Sequence, residues 1–184
     1  MSWTRRRLLR AGAGMAGLSL GLGMSAPATA IAGVQRPKRI ALHNLHTDER
    51  LEAEFMRDGE YVPAAMAAIE GVLRDFRNGE RHGIDPALMD TLHAVAAHIG
   101  VEPVFGVISG YRSPATNEQL RERSSGVARH SLHLEGRAID VRLARVDSAE
   151  LASRALELEL GGVGFYRRSD FVHLDTGAVR TWKG

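Results

Sequence analysis

The first 30 residues set the terms for the rest of the chain. Thr4-Arg5-Arg6-Arg7-Leu8-Leu9-Arg10 fits the twin-arginine export pattern, in which Ser or Thr precedes an Arg pair and a Leu–basic end. A Gly/Ala/Leu/Met stretch follows from Ala11 to about Met24, and Ala26-Pro27-Ala28 and Ala28-Thr29-Ala30 are two small-x-small cut sites. The apolar run is too short and too Gly-rich to serve as a membrane span. Residues 1–30 are therefore read as a twin-arginine signal peptide, and 31–184 as an exported domain destined for the periplasm by the Tat machinery. That route carries proteins that have already folded. The fold must come from about 150 residues, and without disulfides, because the chain has no cysteine. The same absence leaves no lipid-attachment cysteine at the cut site, so no stable membrane anchor is expected after cleavage. A domain of that size builds one core.

Charge has to be read without the signal. The whole chain is +2, but Arg5, Arg6, Arg7 and Arg10 lie in the first 30 residues, which hold no acid. Without them 20 basic residues face 22 acidic ones, a net of −2. A near-neutral domain gives no argument for a nucleic-acid partner or a polybasic membrane surface.

Periodicity and punctuation predict the elements. Alternation over Arg39–Phe55 reads as two strands around a turn at Thr47-Asp48-Glu49-Arg50, with a second turn at Asp58-Gly59. Met66, Ile69, Val72, Leu73 and Phe76 recur at helical spacing, giving a helix over Pro63–Phe76 that Asn78-Gly79 ends. Asp85 caps a second helix with Pro86 in its first turn; Leu88, Leu92, Val95, Ala96 and Ile99 line one face, and Gly100 closes it. Val104–Ser109 is an apolar strand, Ser113–Arg123 a short helix, and Ser124–Gly126 a loop. Ala138–Leu143 reads as a strand, Ser148–Leu160 as a helix opened by Ser148, and Val163–Tyr166 and Phe171–Leu174 as strands around Arg167-Arg168-Ser169. Helices packed on a mostly antiparallel sheet make an α+β domain.

Most of the candidate chemistry lies after residue 108. Ser131–Asp140 places His133 in a loop and Asp140 on the strand after it; His173 sits on a neighbouring strand. Two imidazoles and a carboxylate are a normal three-ligand set for a catalytic zinc. From ligand types alone, the same residues also fit two hydrogen-bonded histidines and a strand-end carboxylate.

The surrounding motifs carry more. Ser-x-His-x-x-Gly-x-Ala-x-Asp, with Asp-x-x-His ending about 33 residues later, resembles the zinc D,D-peptidases of the M15 type, with their hedgehog-like fold. The closer likeness is to the DUF882 subfamily, typified by periplasmic murein endopeptidases exported by the twin-arginine route. It rests on Leu42–Thr47, Ser109-Gly110-Tyr111-Arg112-Ser113-Pro114, Ser131–Asp140, and Gly161–Tyr166 running into Phe171–Gly177.

The resemblance implies one zinc per chain on His133, Asp140 and His173, and hydrolysis of peptidoglycan cross-links by attack of a zinc-bound water. It implies Asp170, three residues before His173, as general base and Arg112 as the cation beside the oxyanion. Asp175 shares a strand face with His173; it is the substitute base or the partner that orients that imidazole. His130 is expected at the rim. His43, His46 and Asp48 lie near one turn, as a second metal site or a plain surface hairpin. Arg129, Arg137, Arg167 and Arg168 would form a basic rim for the carboxylates of peptidoglycan stems, or remain solvated. Two further functions use the same frame: a D,D-carboxypeptidase or dipeptidase acting on D-amino-acid ends, and a non-catalytic peptidoglycan-binding module.

Overall fold

Alternating burial along Lys38–Asn44 forms strand β1, which turns through Leu45–Glu49 into β2, Arg50–Arg57. These and the following elements belong to a computed structural model that describes residues 36–123 and 127–184. The signal peptide and the loop expected at Ser124–Gly126 lie outside the described residues. At the second turn Asp58 and Gly59 both take positive φ (52° and 84°), which reverses the chain tightly into the two-residue strand β3, Glu60–Tyr61.

Helix α1, Pro63–Val72, ends four residues before the expected Phe76. The Asp75 carboxylate, fully buried, accepts from the backbone N–H groups of Arg77 and Ser113 and so folds the chain away from the helix axis. Phe76 leaves the helical face and stacks on His46, with ring centroids 3.9 Å apart. Helix α2, Pro86–Ile99, starts and stops as its signals predict: Asp85 accepts from Ala87 N–H, and Gly100 closes in the left-handed region.

Strand β4, Val104–Ser109, leads into helix α3, Pro114–Arg123, and a 3-10 turn over Leu132–Glu135 replaces the expected loop around His133. Strand β5 is Ala138–Leu143 and helix α4 is Ser148–Glu157. Asp147, rather than Ser148, caps α4 by accepting from Ala149 N–H. Strands β6, Gly162–Tyr166, and β7, Phe171–Asp175, form the expected hairpin, and an unpredicted β8, Arg180–Lys183, closes the sheet.

The eight strands run in the order β3-β2-β1-β4-β5-β7-β6-β8. All pairs are antiparallel except β1 with β4 and β6 with β8. The sheet is thus mostly antiparallel and the domain α+β. On one face Ile40, Leu42, Phe105, Val107, Ile139, Val141 and Leu174 are buried with the apolar residues of α1, α2 and α4, including Ile69, Leu88, Leu92 and Leu151. Truncating Phe105, which is wholly buried, would cost about 3–5 kcal/mol. That packed layer is a rigid backing. The other face takes the alternate residues of the same strands: Asp140 on β5, His173 and Asp175 on β7. No helix among the described residues is long and apolar enough to cross a membrane.

Candidate metal centre

His133, Asp140 and His173, the set that the family resemblance implies, converge. Strand register does most of the work, because β5 and β7 pair Asp140 directly with His173. His133 reaches them from the 3-10 turn. Ser131 opens that turn, its hydroxyl accepting from His133 N–H, and Gly136 ends it. Gly136 has φ +65°, and a Cβ there would meet Gly83 O at 2.0 Å, so this position admits only glycine.

The three ligand atoms form a small triangle. His173 Nδ1 lies 2.9 Å from Asp140 Oδ1 and 3.2 Å from His133 Nε2, and His133 Nε2 lies 3.3 Å from Asp140 Oδ1. A tetrahedral ion with ligands at about 2.0–2.1 Å would have edges of about 3.3 Å, so the triangle can serve as one face of such a site. Among the described residues this is the group of His and acidic side chains so placed.

The outward nitrogens settle the orientation of both rings. His133 Nδ1 lies 2.7 Å from Gly110 O, a carbonyl that can only accept, so Nδ1 carries the proton and Nε2 turns a lone pair inward. His173 Nε2 lies 3.0 Å from Asp175 Oδ2, which turns Nδ1 inward, 2.9 Å from Asp140 Oδ1. Three buried ligand atoms then meet, a set that a metal cation, displacing a proton shared between His173 and Asp140, satisfies.

Two of the three ionisations, those of His133 and Asp140, suit metal ligation directly, and His173 would give up a proton to the metal. Burial pushes His133 down, towards the neutral ligand form, against the pull of Asp140. Burial would raise Asp140, but His133 and His173 outweigh it and hold the carboxyl well below the usual range. Burial would lower His173, but hydrogen bonds to Asp140 and Asp175 outweigh it and raise it. Asp175 is itself buried, and it is saturated: Arg180 Nη1 and Nη2 donate at 3.0 and 2.6 Å, and the N–H groups of Gly162 and Gly177 at 3.1 and 2.9 Å. Such a carboxylate orients an imidazole rather than exchanging protons.

Arg112 stands over the ligands. Its backbone N–H donates to His133 O, its Nη2 lies 4.0 Å from Asp140 Oδ2, and Nη1 donates to Asn117 Oδ1. Its Nε is buried without a partner. The Asp75 carboxylate, through Ser113 N–H, anchors the loop that carries it.

Asp170 requires a correction of place. It sits in the β6–β7 turn at φ +51°, and its exposed carboxylate lies 3.4 Å from Arg142 Nε. It lines a depression beside His43 and Gly106 rather than the cavity of about 770 Å³ that holds the ligands. About 10 Å of strand separates it from His173, because β7 begins only after it. Of the two readings of the remaining arginines, rim or solvated surface, the rim does not form. Arg129, Arg137, Arg167 and Arg168 do not line the cavity; its arginines are Arg112 and Arg180. Arg137 is engaged by Thr176 and Glu135. His130 does line the cavity, as expected of a rim residue.

Tyr166 and Trp182, also on the cavity wall, escaped sequence reasoning. One signal pointed to Trp182: of the two tryptophans in the chain, the other, Trp3, lies in the signal region.

Comparison with known proteins adds a family. A model described as peptidoglycan L,D-endopeptidase MepK, of the M15_2 peptidases, matches residues 32–182. The chain is 40% identical to the peptidoglycan L,D-endopeptidase MepK of Escherichia coli (strain K12) over 179 residues, 97% of this chain and 96% of the relative. It is 39% identical to the probable peptidoglycan L,D-endopeptidase MepK of Haemophilus influenzae over 173 residues, 92% of each. No solved structure gives a significant match.

Proposed function

The chain belongs to the M15_2 peptidase family, and from that premise we propose that it is a zinc endopeptidase of the periplasm that hydrolyses peptide cross-links of peptidoglycan. The observation that carries this is the triangle of buried ligand atoms on His133, Asp140 and His173. Bound there, zinc would supply Lewis acidity and make a nucleophile of water at neutral pH. The names of the relatives support an L,D bond as the one cut. Export by the Tat machinery is supported by Arg5-Arg6 and its flanks.

The chain's own residues divide the remaining work. Gly110 O and Asp175 hold the two imidazoles in orientation, the first fixing the tautomer of His133. Arg112 offers a guanidinium charge beside the ligands, where the peptide carbonyl oxygen gains negative charge. A proton must leave the attacking water. Asp170 as base rests on the family resemblance alone, since its carboxylate is turned to Arg142.

The test is a muropeptide profile of sacculi treated with zinc-loaded mature protein. Conversion of cross-linked species to monomers is the expected result. Release only of terminal D-amino acids from small peptides would favour the carboxypeptidase alternative. Binding to sacculi without products would favour the binding module.

A further inference from the structure

Beside the ligands the cavity has an aromatic wall to which the reaction above gives no task. Asp140, His173, Gly164 and Trp182 stand in one register row across β5, β7, β6 and β8. Gly164 makes the row possible, since a Cβ there would lie 2.5 Å from the Trp182 ring. The indole crosses the glycine, and its ring centroid comes within 5.1 Å of that of His173. In the next row Tyr166 pairs with Phe171, and their rings stack at 4.5 Å with 12° between planes.

One hydrogen bond in this wall fixes a direction. Trp182 Nε1 lies 3.1 Å from Tyr166 Oη. An indole N–H can only donate, so the phenol oxygen accepts. The phenol's own hydrogen is then left over, and among the described residues it has no acceptor. Tyr166 lines the same cavity as the three ligands and Arg112. Arg112 brings its guanidinium charge to the same cavity, with Nη2 4.0 Å from Asp140 Oδ2. One uncommitted O–H and one cation thus belong to one cavity. Their complement is an oxygen acceptor that gains charge, which a peptide carbonyl under attack is.

We propose that Tyr166 is a catalytic residue of this site, donating its O–H to the substrate carbonyl oxygen, with Arg112, as that oxygen becomes an oxyanion. No bond to Tyr166 is made or broken; its proton stays on the phenol, and the hydrogen bond strengthens as the carbonyl π electrons move to oxygen. Phe171 and Trp182 hold the ring and the hydroxyl, so the donor is in place before the reaction. This inference rests on the peptidase reading above.

The test compares Tyr166→Phe, Trp182→Phe and the double variant, each zinc-loaded, for cleavage of purified cross-linked muropeptides. Zinc content and melting temperature establish that each variant is folded and loaded. Tyr166→Phe should lose about 10- to 100-fold in kcat with KM nearly unchanged, the worth of a hydrogen bond to a charged oxygen. Trp182→Phe leaves the O–H in place and should lose about 2- to 10-fold, as for a neutral hydrogen bond. As a readout besides turnover, a phosphinate analogue of the cross-link should bind Tyr166→Phe about 10- to 100-fold more weakly by calorimetry. Equal losses in the two single variants, with none added in the double, would mean that the hydroxyl serves only Trp182, and would overturn the proposal. Unchanged kcat in Tyr166→Phe would do the same while leaving the peptidase reading intact. A wild type that cuts no muropeptide overturns that reading and this inference together.

Discussion

Among the described residues, two groups of two histidines and an aspartate invite comparison, and His133, Asp140 and His173 are the group arranged as a metal site would be. His43, His46 and Asp48 lie within six residues on the β1–β2 turn. His133, Asp140 and His173 span 41 residues and three elements. The local set disperses. His43 Nε2 pairs with the Asp48 carboxylate, whose side chain is 82% exposed, and His46 stacks on Phe76. The distant set is buried, and each ring has its outer nitrogen held by an acceptor. Closeness in sequence places side chains together; a site also needs their lone pairs fixed inward and shielded from water. Strand register and a glycine-terminated turn provide that here, and a surface hairpin does not.

The largest effects should separate the two sets. His133→Ala or His173→Ala should lower muropeptide release by at least about a thousandfold, since the metal supplies several kcal/mol. His43→Ala and His46→Ala should leave it within about twofold, the usual reach of a surface change. Next, Arg112→Ala should keep zinc and lose about 100- to 1,000-fold in kcat, the worth of an oxyanion donor. Asp175→Asn should weaken zinc binding by about 10- to 100-fold in a chelator competition, while Asp48→Asn, the carboxylate of the exposed set, should leave it unchanged.

A further contrast is between carboxylates and pH. Burial would raise Asp75, but hydrogen bonds from Thr116, Ser113 and Arg77 outweigh it and lower it. A folded-state pKa below the unfolded one gives stability that is present above the unfolded value, about 3.9, and lost as pH falls through the folded value. Acid denaturation of the wild type should therefore be steeper below pH of about 4 than that of Asp75→Asn, as followed by circular dichroism. Asp170→Ala should likewise have a small effect. Its exposed pair with Arg142 contributes about 0–1 kcal/mol, and turnover should change less than about threefold. A loss of about 100-fold or more with zinc retained would restore it as the base.

Much of the fold was legible because its punctuation is local. Asp85-Pro86 and Gly100 mark α2, and the apolar runs at Val104–Ser109 and Ala138–Leu143 mark β4 and β5. The overrun of α1 had a tertiary cause, since Asp75 bonds to Ser113, 38 residues away, and no helical periodicity reports that. Strand β8 was missed because it is short, polar and paired only at one edge. In the site, ligand types alone left His133, Asp140 and His173 open, and the resemblance of the surrounding motifs to the M15 peptidases singled them out. Which nitrogen faces inward was not legible, because it depends on Gly110 O and Asp175. The place of Asp170 depends on the positive φ that turns it towards Arg142. Tyr166 and Trp182 join the cavity through the Gly164 approach, which appears only once β8 is paired.

The most direct measurement is the zinc content of purified mature protein, by mass spectrometry, in three forms. The wild type and the His43→Ala/His46→Ala variant should each carry about one zinc per chain, and the His133→Ala/His173→Ala variant none. About one zinc per chain persisting without His133 and His173, or lost on removal of His43 and His46, would contradict the assignment of the metal to the buried set.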